Sequence, residues 1–99
     1  MKRRILVRRT AAREYDDSIA WYERERPGLG QEFRATIEEQ FQRIADNPEQ
    51  FPKVRGKVQR AVVPRRFHFV IHFIAEKDHI VILSGFHTSR EPKQLKNRR

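Results

Sequence analysis

The chain contains no cysteine, so disulfides, thiolate metal sites and thiol redox chemistry are excluded. Acidic residues are scarce in its second half: residues 51–99 carry 12 Lys or Arg against 3 Asp or Glu, while residues 1–50 balance at 10 and 10. All of the formal charge of +9 therefore lies at one end. Segregated charge focuses a positive potential and points to a polyanionic or acidic partner. The start, Met-Lys-Arg-Arg-Ile-Leu-Val, has a basic head, but its apolar run breaks at Arg8 and Arg9, short of a signal-peptide core or a membrane span. A cytoplasmic location without membrane contact is the expectation. No repeat, linker or low-complexity tract interrupts the chain, which reads as one small domain over residues 1–99.

What is present is ordered in two blocks. Ile5, Leu6 and Val7 suggest a first strand, with Thr10 as the N-cap of the segment behind it. Ala12, Tyr15, Ile19 and Tyr22 then recur at helical spacing, and Pro27-Gly28-Leu29-Gly30 stops the helix. Phe33, Ile37, Phe41 and Ile44 define a second helix, ended by Asn47-Pro48. So short a joint predicts an antiparallel hairpin. Beyond a hinge at Pro52 to Gly56 the period falls to two, predicting strands over 57–63, 67–73 and 79–87 with turns at 64–66 and 76–78. The basic tail from about residue 91 is expected to be partly flexible. The architecture is α+β: an N-terminal strand and a two-helix antiparallel hairpin packed on one face of a small, mainly antiparallel sheet.

Phe67, Phe69, Ile71 and Phe73 suit the buried face of that sheet, in preference to a base-stacking platform whose glycine-rich signature is absent. His68 and His72 fall on the opposite face, and His79 and His87 at the ends of the last strand. Their spacing does not describe a metal site. His87 could exchange a proton near neutral pH, or simply pack against the tail. Arg60, Arg65, Arg66 and Arg90, with Lys57, are expected on or beside the exposed sheet face, where guanidinium forks hold phosphate or carboxylate; the bland alternative is a solvated basic rim. Trp21 points away from the stripe containing Tyr22, leaving an apolar anchor for a partner near the hairpin's tip. The carboxylates of both helices read as solubilising.

Trp21-Tyr22-Glu23, Pro27-Gly28-Leu29-Gly30 with Phe33, Asn47-Pro48 with Phe51-Pro52, Arg60 ahead of the Phe67-to-Phe73 strand, and Phe86-His87-Thr88-Ser89-Arg90-Glu91-Pro92 together resemble the ParE branch of the RelE/ParE toxin superfamily over roughly Ile5 to Pro92. The resemblance implies a RelE/ParE-like fold, a type II toxin–antitoxin or plasmid stabilisation pair, and growth arrest by the free toxin. Characterised ParE-like members poison DNA gyrase without known catalytic residues, whereas RelE-like members cut messenger RNA on the ribosome. Arg60, Arg65, Arg66, His87 and Arg90 would then contact the target, and Trp21, Arg60 and Arg90 an antitoxin with an acidic amphipathic segment. In the nuclease alternative, Lys57 or Arg60, His87 and Arg90 would serve, but the middle strand offers Phe69 where the nucleases have arginine, and no tyrosine follows Tyr22. Attack by a 2'-hydroxyl needs a base and an acid as well as cations. Gyrase inhibition with no metal or cofactor is the favoured expectation.

Overall fold

The computed structural model describes residues 2–63 and 67–87, the side chain of His87 excepted. Strand β1 (Arg4–Val7) leads directly into helix α1 (Arg9–Glu25), followed by helix α2 (Leu29–Asp46) and a 3₁₀ turn (Pro48–Gln50). Strands β2 (Lys53–Arg55), β3 (Val58–Val62), β4 (Phe69–Ala75) and β5 (His79–His87) complete the order. They form a five-stranded sheet, β1-β5-β4-β3-β2, in which β1 runs parallel to β5 and the other pairs are antiparallel. The parallel pair is possible because the whole helical hairpin serves as the crossover.

The helices follow from spacing. In α2 the buried positions Gly30, Phe33, Ile37, Gln40 and Ile44 recur at threes and fours, giving one apolar stripe against the sheet. Tyr22 and Ala11 anchor α1, with Tyr15 and Ile19 packed beside them. Thr10 is not the N-cap: Arg8 holds that place without a side-chain cap bond, and Thr10 lies inside α1. The chain enters the helix straight from β1, and the Arg8 carbonyl accepts the Ala12 N–H at 2.8 Å. The hairpin corner is fixed by one carboxylate. Glu23 accepts the N–H groups of Gly28 and Gly30, both at 2.9 Å, so an anion satisfies orphan donors at the start of α2. Gly30 lies so close to α1 that a Cβ there would meet the Ile19 carbonyl oxygen at 2.8 Å.

The aromatic row is core, as its alternation requires. Phe69, Ile71 and Phe73 of β4 and Ile80 and Ile82 of β5 are buried under Phe33, Ile37 and Ile44. Phe33 stands edge-on to Phe69 at 5.0 Å and to Phe67 at 5.3 Å, an arrangement that adds to their area burial. Phe67 reaches this core from ahead of β4 rather than from within it, because His68 turns the backbone at a φ of 49°. The Tyr22 hydroxyl donates to the Phe67 carbonyl and ties α1 to that bend.

Two further differences from the sequence expectation concern the strands. The hinge contains a short strand, β2, and Lys57 sits in the β2–β3 turn instead of opening a strand. On β5 the pairing steps from Ser84 opposite His72 to Ile82 opposite Phe73, leaving Leu83 without a partner. This bulge shifts the side-chain phase, so Gly85 shares the core face with Ile80 and Ile82. The Gly85 N–H donates to the Glu14 carboxylate at 3.0 Å, bridging the bulged strand to α1.

Candidate functional site

One face of the sheet is turned away from the helices. Register places three rows across it: Leu6, Val81, Ile74 and Val58; then Ser84, His72 and Arg60; then Phe86, Val70 and Val62. The outer rows are apolar. Toward opposite edges Leu6 is 45 % and Val62 54 % exposed, while Val70, between Phe86 and Val62, is buried.

The middle row carries the polar chemistry. His72 is half-buried, its Nδ1 lies 3.3 Å from the Ser84 hydroxyl, and the Phe86 ring sits 5.6 Å from the imidazole at an interplanar angle of 52°. Arg60 is exposed in the position directly across from His72. Cross-strand neighbours stand about 5 Å apart at Cβ, so a guanidinium, an imidazole and a hydroxyl are presented in line. Arg60 supplies the only Lys or Arg that the described residues of β3–β5 place on this face. Arg4 of β1 and Arg55 of β2 register on the same face toward its edges, so Arg60 is not its sole cation, and of the expected cluster only Lys57 is placed elsewhere among the described residues.

Lys57 is elsewhere. With Arg3, Lys53 and Lys77 it lines an open groove of about 660 Å³ at the end of the sheet, over a floor that includes Pro48 and Phe51 and a rim that includes Glu49 and Glu76. The turn that carries it is locked by Gln59, whose buried amide donates to the carbonyls of Pro48 at 2.7 Å and Phe51 at 3.0 Å. Lys57 and Arg60 thus do not share a site. Arg65, Arg66 and Arg90, and the side chain of His87, lie outside the described residues; the His87 backbone pairs with Phe69.

Trp21 also departs from expectation. Instead of standing clear of the core, its indole is half-buried and meets Tyr22 edge-on at 5.0 Å and 84°. The apolar face of α1 is broad enough to take both rings, because Tyr22 points at Phe33 and Phe67 while Trp21 covers its flank. The indole contributes to packing.

Among the described residues no group of three or more His, Cys, Asp or Glu could hold a metal ion. His79 pairs with Asp78 at 2.8 Å at the β4–β5 turn, and this hydrogen bond holds the Asp78 carboxyl below its ordinary value. The Tyr15 hydroxyl is buried without a hydrogen-bond partner, and burial, then the Glu38 carboxylate, push its phenol upward. Neither group is near the Arg60 row. That row, with Ser84 and Phe86, was not legible in the sequence, because the bulge at Leu83 decides which residues of β5 face it.

No described helix is long and apolar enough to cross a membrane. The fold is similar to the structure of a chromosomal ParDE toxin–antitoxin system from P. aeruginosa, with a TM-score of 0.73 and 20% identity over 87% of this chain and 96% of that one. It is also similar to the RelBE2 toxin–antitoxin complex from Mycobacterium tuberculosis, with a TM-score of 0.63 and 16% identity over 88% of this chain and 99% of that one. Among curated protein sequences no significant match was found. The family described as the ParE toxin of the type II toxin–antitoxin system parDE matches residues 5–92, nearly the whole chain, with every described strand but the first residue of β1 and both helices inside the matched span. The chain belongs to the ParE toxin family of type II toxin–antitoxin systems.

Proposed function

We propose that this toxin arrests growth by binding and inhibiting DNA gyrase without making or breaking a bond itself, and that a cognate antitoxin with an acidic amphipathic segment neutralises it. The observation that carries the reading is the outer sheet face. Two apolar rows flank Arg60, His72 and Ser84. Such a surface suits a protein partner, whose apolar side chains desolvate the rows while one acidic group meets Arg60. A phosphodiester backbone offers charge but little apolar area, and would leave the apolar rows unmatched. Arg60, Arg65, Arg66, His87 and Arg90 remain proposed contributors to target binding, and Trp21, Arg60 and Arg90 to antitoxin binding.

The test is a gyrase supercoiling reaction with purified protein. Loss of supercoiling, or accumulation of cleaved complex, is the expected result. A second reading is favoured by one specific feature, the imidazole of His72 in line with Arg60 and hydrogen-bonded to Ser84. A messenger RNA endonuclease could use the imidazole for proton transfer beside a phosphate-binding guanidinium. Message cut in a translation extract, with the activity removed by His72→Ala, would replace the inhibitor reading with this one.

A further inference from the structure

The groove of about 660 Å³ at the end of the sheet has the volume of a small-ligand site and lies on the helix side, away from the Arg60 row. Gln59 lines it, and the register sets Gln59 opposite Phe73 and Lys53 on the core face. Ala75, the next core-face position of β4 after Phe73, contributes a methyl where Phe73 contributes a ring, and so leaves room. Gln59 is the unusual member. It is only 5 % exposed, and both hydrogens of its amide are committed: Nε2 donates to the Pro48 carbonyl at 2.7 Å and to the Phe51 carbonyl at 3.0 Å. Those two acceptors fix the orientation of the amide and leave Oε1 as the atom to be matched. No described residue donates to it, and it is not sealed from solvent as the Tyr15 hydroxyl is. A carbonyl oxygen held in this way selects a ligand that brings an N–H.

The surrounding charge selects an anion. Arg3, Lys53, Lys57 and Lys77 line the groove, and none of them enters an ion pair among the described residues although Glu49 and Glu76 share the rim. Arg3 is held in place by backbone: its N–H donates to the Ala45 carbonyl at 3.3 Å and its Nε to the Glu76 carbonyl at 3.0 Å, so the terminal nitrogens of the guanidinium stay uncommitted among the described hydrogen bonds. Phe51 adds an apolar ring, half-buried and edge-on to Phe73 at 5.8 Å and 88°. We propose that this groove binds a nucleotide whose base carries an amino group. The base lies against Phe51 and donates its amino N–H to Gln59 Oε1, while the lysines and Arg3 hold the phosphates. An inorganic anion would use the cations and leave Gln59 and Phe51 unmatched; an apolar ligand would do the reverse. The proposal stands apart from the gyrase reading, which rests on the opposite face of the sheet.

An NMR titration of the full chain with ADP, at fixed ionic strength and without divalent cations, tests it. The Gln59 side-chain amide and the Phe51 ring are expected to shift together and saturate with a Kd below about 1 mM, while the Ser84 amide on the opposite face stays in place. Base and charge are varied on the ligand, because Gln59 also locks the turn and its loss could unfold the site. IDP, in which a carbonyl replaces the amino group and sets two acceptors against each other, should bind about tenfold or more weakly. Pyrophosphate, which brings charge alone, should do the same. The double variant Lys57→Ala, Lys77→Ala changes two exposed side chains and, with its unfolding curve matched to the parent, should bind ADP about tenfold or more weakly. Equal affinity for ADP and IDP, or for ADP and pyrophosphate, would overturn the proposal. So would unsaturable shifts spread over the basic surface, or an absence of shifts at Gln59 and Phe51.

Discussion

The two faces of the sheet are built from similar residues and meet opposite fates. On the helix side Phe69, Ile71, Phe73, Ile80 and Ile82 are all 2 % exposed or less, closed by Phe33, Ile37 and Ile44. On the other side Leu6, Val81, Ile74 and Val58, and Phe86, Val70 and Val62, form equally apolar rows; Val70 is buried, yet Leu6 and Val62 at their ends stand about half open. The difference teaches where the chain's own hairpin ends its work. One apolar face finds its cover in α1 and α2, and the other leaves Leu6, Arg60 and Val62 exposed.

The most severe way to break the comparison is to remove a core ring. Phe73→Ala should cost ~3–5 kcal/mol in urea unfolding, whereas Val62→Ala, on the open face, should stay within ~0.5 kcal/mol. Equal costs would mean that the outer face is as tightly packed as the core. A substitution at the hairpin comes next. Gly30→Ala places a methyl against the Ile19 carbonyl and the Glu23 carboxylate, and should cost ~1–3 kcal/mol by the same measurement, because backbone cannot give way as a flexible side-chain end can.

Tyr15→Phe sharpens the contrast in the opposite direction. Its buried hydroxyl has no partner, so deleting the oxygen should stabilise the fold by ~1 kcal/mol or leave it unchanged. The phenol's folded value is raised above 10.0, so its contribution is intact below pH 10 and is lost as pH rises through the folded value. Alkaline unfolding curves of the phenylalanine variant should accordingly be flatter above pH 10 than those of the parent. The smallest effect concerns Asp78. Its depressed carboxyl favours the fold above the ordinary value of 3.8 and loses that contribution as pH falls through the folded value, so His79→Ala should bring the Asp78 titration, followed by NMR, back up toward 3.8.

Much of the helix side was written in the sequence and much of the open side was not. A stripe such as Phe33, Ile37 and Ile44 fixes both the helix and the face it buries, and the alternation of Phe69, Ile71 and Phe73 fixes a strand against it. Those signals depend on spacing along the chain alone. The outer face depends on pairing between strands, where one unpaired residue, Leu83, moves Ser84 and Phe86 beside His72. Strand β2 was hidden because Lys53-Val54-Arg55 has only one apolar residue and is held by its neighbour β3. Lys57 and Arg60 are three positions apart in sequence and were grouped by charge, but a turn separates the groove of one from the face of the other. At Trp21 helical phase places only the side chain's root, and a ring as large as indole folds back over Tyr22 while staying partly exposed.

The proposed function requires the outer sheet face to grip a macromolecular target. Gyrase supercoiling, measured with the parent and with the Arg60→Glu, Val62→Asp variant after thermal unfolding has established equal stability, tests it most directly. Inhibition by the parent and its loss in the variant is the predicted result; inhibition undiminished in the variant would contradict the account.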